Sequence, residues 1–364
     1  MKVLVRGAYG SFNFGDDLLL ILITSILKDL HCNVDILCSK QKYISKLIDN
    51  QARINDGTLY EEYDLLVYGG GTQFYSFFYE EKNKDKIISF IKRTYDLIIN
   101  PLRIKGAIMR RLHNTPYRCN NLMYIGIGVG PFYNEDSKKE ILKKIDNNHL
   151  LLVRDQTSKS YLDEFNIKSI LCPDLCFTPY IKTYLPVPSD INIIKKIAII
   201  LRDWEYSEDL SPDRVLDIYS QFVDCGYEIS FVLFSKISDR KWFQKLNKKV
   251  DLHIWDPEQN TINEFINVIN GFDLIISSRF HGLVISSILN KPFIGLNIEP
   301  KIEIFCKKYN FNNIINPNFN TEEIFDKIEK INNNLFDVLS NIKTVNDIEF
   351  SKGDVMLDLI KESI

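Results

Sequence analysis

Short apolar runs recur along the first half of the chain, each ending in glycines or polar residues and each followed by a segment with helical spacing. Val3 to Val5, Val34 to Leu37, Asp64 to Tyr68, Met123 to Ile127 and Leu150 to Val153 are predicted strands, and Asp17 to Leu30 is the clearest helix among them. Such runs, short and with little polar alternation, suit strands buried on both faces. The pattern therefore predicts stacked βα units and a parallel sheet with helices on both sides.

The pattern breaks between Pro173 and Pro188 and restarts at Lys196. Ile197 to Leu201, Ile229 to Phe234, Leu252 to Trp255, Leu274 to Ser277 and Phe293 to Leu296 form a second set of strands, separated by helical stretches such as Pro212 to Cys225. Beyond Asn316 the chain turns to Asn, Lys and Glu with spaced Ile, Leu and Phe, as surface helices do. A chain of 364 residues exceeds what one core usually organises. The expected division is an amino-terminal α/β lobe over residues 1–185, a second lobe of the same design over 186–330, and terminal helices over 331–364 packing back across both.

The composition, 45% hydrophobic and 26% charged, is that of a soluble globular protein. A net charge of -3 gives no general attraction for nucleic acid, so anion binding has to be local. Met1 leads into the first strand with no secretion signal, which sets a cytoplasmic expectation. The apolar run Leu18 to Ile23 is far short of the roughly 20 residues that span a bilayer. Leu97 to Arg118 interleaves Arg103, Lys105, Arg110, Arg111 and Arg118 with apolar residues. A solvated helix with one buried face is the favoured reading, and a peripheral contact with the inner face of a membrane is the other. The seven cysteines form no C-x-x-C pair and no histidine lies near Cys172 and Cys176, so reduced thiols and no metal are expected.

Open parallel sheets bind ligands beyond the carboxyl ends of their strands. The loop Gly7 to Asp17 after the first strand is neither a Walker loop nor a dinucleotide fingerprint, and Asn13 is the residue a plain turn explains least. Gly69-Gly70-Gly71 and Gly126-x-Gly128-x-Gly130-Pro131 read as two loops, either a floor without side chains on which a sugar ring could lie or a place of close packing. Arg154-Asp155 and Pro173-Asp174 put charge at the same edge, as an orienting ion pair or as ligand contacts. In the second set, Arg202 follows one strand, and Ser278-Arg279-Phe280-His281-Gly282 follows another and leads into an apolar helix. Two guanidinium groups and a helix amino terminus suit a multivalent anion, and an imidazole can supply a proton there.

Together these residues resemble the polysaccharide pyruvyl transferase family. The N-x-G-D loop is Asn13 to Asp16, the strand with its glycines is Leu65 to Gly71, and G-x-G-x-G-P is Gly126 to Pro131. R-D-x-x-S is Arg154 to Ser158, P-D-x-x-F is Pro173 to Phe177, R-x-H-G is Arg279 to Gly282, and the downstream P-K is Pro300-Lys301. Phe280 stands where relatives frequently carry leucine. The resemblance implies two Rossmann-like lobes facing a cleft, a GT-B-like fold, and transfer of pyruvyl from phosphoenolpyruvate to two hydroxyls of a bacterial surface saccharide.

On that reading His281 and Arg279 are catalytic, and Arg202, Arg279, Ser278, Gly282 and Lys301 bind the donor. Asn13, Gly15, Asp16, Gly70, Gly71, Gly128, Arg154 and Asp174 face the acceptor or the cleft, with Asp16 or Asp174 the base. Phosphoenolpyruvate is the donor substrate, no cofactor is called for, and the saccharide acceptor becomes lipid-linked if Arg103 to Arg111 lies at a membrane. The rival reading is a GT-B glycosyltransferase using a nucleotide sugar, with Glu299 and Glu303 on the ribose. The acceptor sugar, the ketal stereochemistry and the oligomeric state are not specified by the sequence.

Overall fold

The computed structural model describes residues 1–39, 41–58, 60–76, 115, 117–145, 149–187, 189–204 and 212–364. The basic segment Leu97 to Arg118 lies mostly outside the described residues. Among those described, no helix is long and apolar enough to cross a membrane.

Two parallel sheets organise the chain. The first has seven strands: β1 Lys2–Arg6, β2 Asn33–Leu37, β3 Arg53–Asn55, β4 Glu61–Phe74, β5 Tyr117–Val129, β6 Leu150–Val153 and β7 Ile170–Leu171. They lie in the order β3-β2-β1-β4-β5-β6-β7. The second has six: β8 Lys196–Leu201, β9 Glu228–Leu233, β10 Leu252–Ile254, β11 Leu274–Ser277, β12 Phe293–Leu296 and β13 Ile314–Ile315, in the order β10-β9-β8-β11-β12-β13. The intervening helices are α1 Phe14–Asp29, α2 Gln41–Leu47, α3 Glu135–Leu142, α4 Gln156–Asp163, α5 Pro212–Asp224, α6 Arg240–Leu246, α7 Ile262–Asn270, α8 Phe280–Ile288, α9 Pro300–Cys306, α10 Thr321–Asn333 and α11 Leu335–Ser363. The apolar runs of the sequence are the cores of ten of these strands. The three that carry no such run, β3, β7 and β13, are two or three residues long.

The chain divides into two compact units: Met1–Gly10, Leu19–Leu175 and Asp358–Ile364 form one, and Ser11–Leu18 with Cys176–Leu357 form the other. The first turn of α1 therefore counts with the second unit and the rest of that helix with the first. In the first unit, Tyr124, Ile127, Val129, Leu142, Leu151, Val153 and Leu162 are buried together where β5 and β6 meet α3 and α4. In the second, the β8, β11 and β12 strands are buried almost throughout, as strands covered on both faces must be.

One expectation needs correcting. Gly69, Gly70 and Gly71 do not follow a strand; they continue β4, with Gly69 paired to Ile125 and Gly71 to Ile127 of β5. Gly126 and Gly128 likewise lie within β5 rather than in a loop beyond it. Hydrogen-bonded pairing carries both strands through their glycines, even with φ of +67° at Gly70 and +62° at Gly126. The space that a Cβ would take at Gly70 is filled by Leu19 and Leu175, and at Gly126 by Leu175. Close packing is what these residues permit.

A second close approach holds the Gly353 turn of the long terminal helix within the second unit. A Cβ at Gly353 of α11 would stand 1.8 Å from the carbonyl oxygen of Phe177, and the Phe177 ring meets Phe350 edge-on with centroids 5.6 Å apart. Gly353→Ala is expected to destabilise the protein by about 1–3 kcal/mol, as overpacking does, despite the better helix propensity of alanine. An unchanged thermal midpoint would show that α11 does not hold this position.

Candidate active site

In the second sheet the direction of strand addition reverses between β8 and β11, which pair directly with Ile200 opposite Ser277. Neighbouring strand ends diverge at such a switch point and leave a crevice. Arg202 leaves the end of β8 and Arg279 leaves the end of β11, so the topology brings them together across 77 residues of sequence. Ser278 joins the two strand ends: its Oγ accepts from the Arg202 N–H at 2.8 Å and donates to the Ile200 carbonyl at 3.2 Å. That hydroxyl is committed to the main chain, and its effect on a ligand comes through the place it gives Arg202.

The loop is closed tightly around the start of α8. Ser277 Oγ accepts from the Arg279 N–H and donates to the Arg279 carbonyl. A Cβ at Gly282 would meet Ser277 Oγ at 2.3 Å and Ile200 at 2.9 Å. Helix α8 begins at Phe280, so His281 and Gly282 occupy its first turn, and the Arg279 side chain at the N-cap position makes no capping bond. That end of the helix bears partial positive charge.

Each cation is held by a carboxylate. Asp239, fully buried, accepts from Arg279 Nη2 and from the backbone N–H groups of Asp203 and Ser235, each at 3.1 Å. It stands at the N-cap of α6 yet makes no side-chain cap, because its oxygens face the other strand ends. Glu299 repeats the device at the start of α9: its Oε1 is 2.5 Å from Arg202 Nη1 and 3.1 Å from Lys301 Nζ. Burial works against the charge of Glu299, but Lys301 and Arg202 outweigh it and hold the carboxyl below the usual glutamate range. The Arg202 guanidinium also lies 3.9 Å from the ring centroid of Trp204. Arg279 Nε is buried with no hydrogen-bond partner among the described residues. A buried guanidinium N–H left open in this way suits an anionic ligand.

The fourth component comes from the amino-terminal end of the sequence. Asn13 Oδ1 accepts from the Gly15 N–H at 3.1 Å, and the Asn13 carbonyl from the Asp17 N–H at 2.9 Å, so Asn13 starts α1. Phe14 donates its N–H to the Phe234 carbonyl and buries its ring among Phe234, Trp255 and Phe265, with centroids 4.9, 5.4 and 4.8 Å away. Asp17, buried, accepts from the Trp255 indole N–H at 2.8 Å. Gly15 meets the catalytic candidate: a Cβ there would be 2.3 Å from His281 Nδ1. Asp16 follows, in the field of His281, Arg279, Lys301 and Arg202. Burial raises its carboxyl above the usual aspartate value, although all four of these groups oppose the shift.

The sequence candidates thus fall into two sets. Arg202, Ser278, Arg279, His281, Gly282, Lys301, Asn13, Gly15 and Asp16 are brought together in the second unit. Gly70, Gly71, Gly128, Arg154 and Asp174 belong to the first. There Arg154 Nη1 donates to Asp174 Oδ2 at 3.0 Å and Nη2 to Thr72 Oγ1 at 3.1 Å, with both members of the ion pair buried. A Cβ at Gly128 would press on that guanidinium at 3.3 Å. Asp155 caps α4, and Ser158 Oγ accepts from the Val129 N–H at 2.8 Å. Asp239 and Trp204 carried no sequence signal, since an aspartate before a helix reads as an ordinary cap.

A model of the family described as polysaccharide pyruvyl transferase matches residues 13–300. The chain belongs to that family. The match opens at Asn13 and spans the R-x-H-G loop, so every member of the second-unit cluster except Lys301 falls within it. No curated protein sequence matches the chain. Among solved structures, Anabaena Alr3699/HepE in complex with UDP-glucose is similar with a TM-score of 0.57 at 12% identity, covering 100% of both chains. The S. aureus MnaA–UDP structure gives 0.55 at 9% identity over 91% of this chain and 87% of that one. Methanocaldococcus jannaschii UDP-GlcNAc 2-epimerase, in complex with UDP-GlcNAc and UDP, gives 0.54 at 12% identity over 92% and 93%. At such identities the likeness shows the fold, two α/β units of GT-B-like type.

The raised Asp16 carboxyl has a consequence for stability. Its contribution is complete below the ordinary aspartate range and is lost as pH rises through the elevated value, because ionisation is then harder in the folded protein than in the unfolded chain. Asp16→Asn keeps the shape without the ionisation. Its thermal midpoint should match wild type near pH 4 and exceed it increasingly toward pH 8; parallel curves for the two proteins would contradict the assignment.

Proposed function

We propose that this member of the family transfers the pyruvyl group of phosphoenolpyruvate to two hydroxyls of a saccharide, forming a cyclic ketal and releasing phosphate. The observation that carries the reading is the grouping of Arg202, Arg279, Lys301 and His281 about Asp16 near the switch point of the second sheet, with the Arg279 Nε buried and open. Phosphoenolpyruvate carries a carboxylate and a phosphate on the same carbon. Guanidinium groups match both anions in shape and charge, and the helix amino terminus adds to the field.

The chemistry asks for a proton on the methylene carbon, a nucleophilic oxygen on the neighbouring carbon, and departure of phosphate. An imidazolium at His281 can supply the first, and Arg202 with Lys301 can offset the charge that collects on the leaving phosphate. The saccharide acceptor is drawn from bacterial surface polysaccharide synthesis, following the family. A nucleotide-sugar donor is the rival reading: the similar structures named above are complexes with UDP or UDP-sugars. Glu299, one of the two residues set against a ribose on that reading, is instead engaged with Arg202 and Lys301.

The purified protein is expected to bind phosphoenolpyruvate and to release inorganic phosphate from it in the presence of hexopyranoside acceptors, without releasing UDP from UDP-glucose. UDP release with no binding of phosphoenolpyruvate would overturn the proposal. Arg279→Ala should weaken phosphoenolpyruvate binding on the order of 10- to 100-fold, the loss of charge-assisted hydrogen bonds. His281→Ala should leave binding within a few-fold while lowering turnover by roughly 10²- to 10⁴-fold, as loss of a general acid does. Calorimetry and phosphate release separate the two effects.

A further inference from the structure

Ketal formation has a proton balance that one imidazole does not complete without help. The methylene carbon gains one proton, each of two hydroxyls loses one, and the departing phosphate takes one. Two groups that each accept and each return a proton would close the cycle, provided both face the same carbon. The sequence offers two carboxyls for the second group, Asp16 and Asp174. Asp174 is buried in an ion pair with Arg154, whose other edge is bound to Thr72. Asp16 lies in the cluster of the second unit, in the first turn of α1, where its neighbours are each otherwise employed. Asn13 makes the turn, Phe14 anchors it, Gly15 allows contact with His281, and Asp17 binds Trp255. The Asp16 carboxyl is engaged by none of the hydrogen bonds that fix its neighbours.

Resting on the pyruvyl-transfer reading, we propose that Asp16 is a second catalytic residue, the base for the first sugar hydroxyl and then the acid for the departing phosphate. In the first step the His281 imidazolium gives its proton to the methylene carbon, and the electron pair of the double bond forms the new C–H bond. The first hydroxyl oxygen bonds to the adjacent carbon as its proton passes to the Asp16 carboxylate. In the second step Asp16 returns that proton to the bridging oxygen of the phosphate, the carbon–oxygen bond breaks with its electrons going to phosphate, and the second hydroxyl oxygen takes the vacated place. The proton of that hydroxyl restores the imidazolium. Both side chains end as they began.

The surroundings suit a carboxyl that must hold a proton for half of each cycle. Burial favours its neutral, proton-holding form and prevails over His281, Arg279, Lys301 and Arg202, which favour the charged form. Glu299 and Asp239 do not compete for the role, since each is bound to cations of the same cluster. Asp17, its neighbour on α1, is bound to the Trp255 indole.

The experiment compares wild type, Asp16→Asn and Asp16→Glu in two measurements. The first is calorimetric binding of phosphoenolpyruvate between pH 5 and 8.5. If Asp16 faces the donor, removing its charge should tighten binding about fivefold at the alkaline end and leave it unchanged at the acid end. Identical affinities of wild type and Asp16→Asn throughout would overturn the proposal. The second is phosphate release from phosphoenolpyruvate with the hexopyranosides that support turnover in wild type. Asp16→Asn should lose roughly 10²-fold or more in kcat and lose the acid limb of the pH profile, and Asp16→Glu should recover part of both. An Asp16→Asn protein within a few-fold of wild type in kcat would also overturn it. Failure of the wild-type protein to bind phosphoenolpyruvate would instead count against the pyruvyl-transfer reading itself.

Discussion

Bringing several cations to one point costs electrostatic energy, and the way this chain meets that cost sets the form of the candidate site. Asp239 and Glu299 are buried carboxylates at helix starts that cap nothing, because each is turned toward a cation from another strand end. Asp239 also accepts two backbone N–H groups and so ties together the ends of β8, β9 and β11. Removing one partner of such a pair leaves a buried charge uncompensated, which is far more costly than losing a surface ion pair. The guanidinium groups are therefore held in place before any ligand arrives, and a donor meets arginines whose orientation is already settled.

The same device serves a different end in the first unit. Arg154 and Asp174 are both buried and bound to one another, with Thr72 on the remaining edge of the guanidinium. Arg154 to Ser158 is a coherent structural motif: the arginine joins a buried ion pair, the aspartate caps a helix, and the serine ties that helix to the end of β5. Two arginines at strand ends differ because the Arg279 guanidinium has an open buried N–H, whereas both terminal nitrogens of Arg154 are bonded, to Asp174 and Thr72.

The segment around Asn13 shows how far a local reading reaches. Its residues suggested a turn ahead of a helix beginning at Asp17; the turn is made by Asn13, and the helix opens earlier, at Phe14. What surrounds them is decided by aromatic packing: Phe14 is enclosed by Phe234, Trp255 and Phe265, more than two hundred positions away. That packing, with the Trp255 bond to Asp17, fixes Gly15 against His281 and puts Asp16 in the field of four cationic or titratable groups.

Among the described residues, ten of thirteen strands were legible from the sequence because a strand covered on both faces is largely apolar, and that signal is local. The sequence placed Arg202 and Arg279 at strand ends, but the strand order that sets β8 directly beside β11 was decided by the tertiary structure. The family was legible in the ordered motifs, each motif standing at a strand end. The glycines of β4 and β5 were misread as loops, because glycine carries the same local signal in a turn and in a crowded strand; only the neighbours Leu19 and Leu175 distinguish them. Asp239 carried no signal, and Asp16 and Asp174 stood level as candidates. Whether a carboxyl is spent in an ion pair or left for chemistry depends on what approaches it from distant parts of the chain, and that is settled by packing.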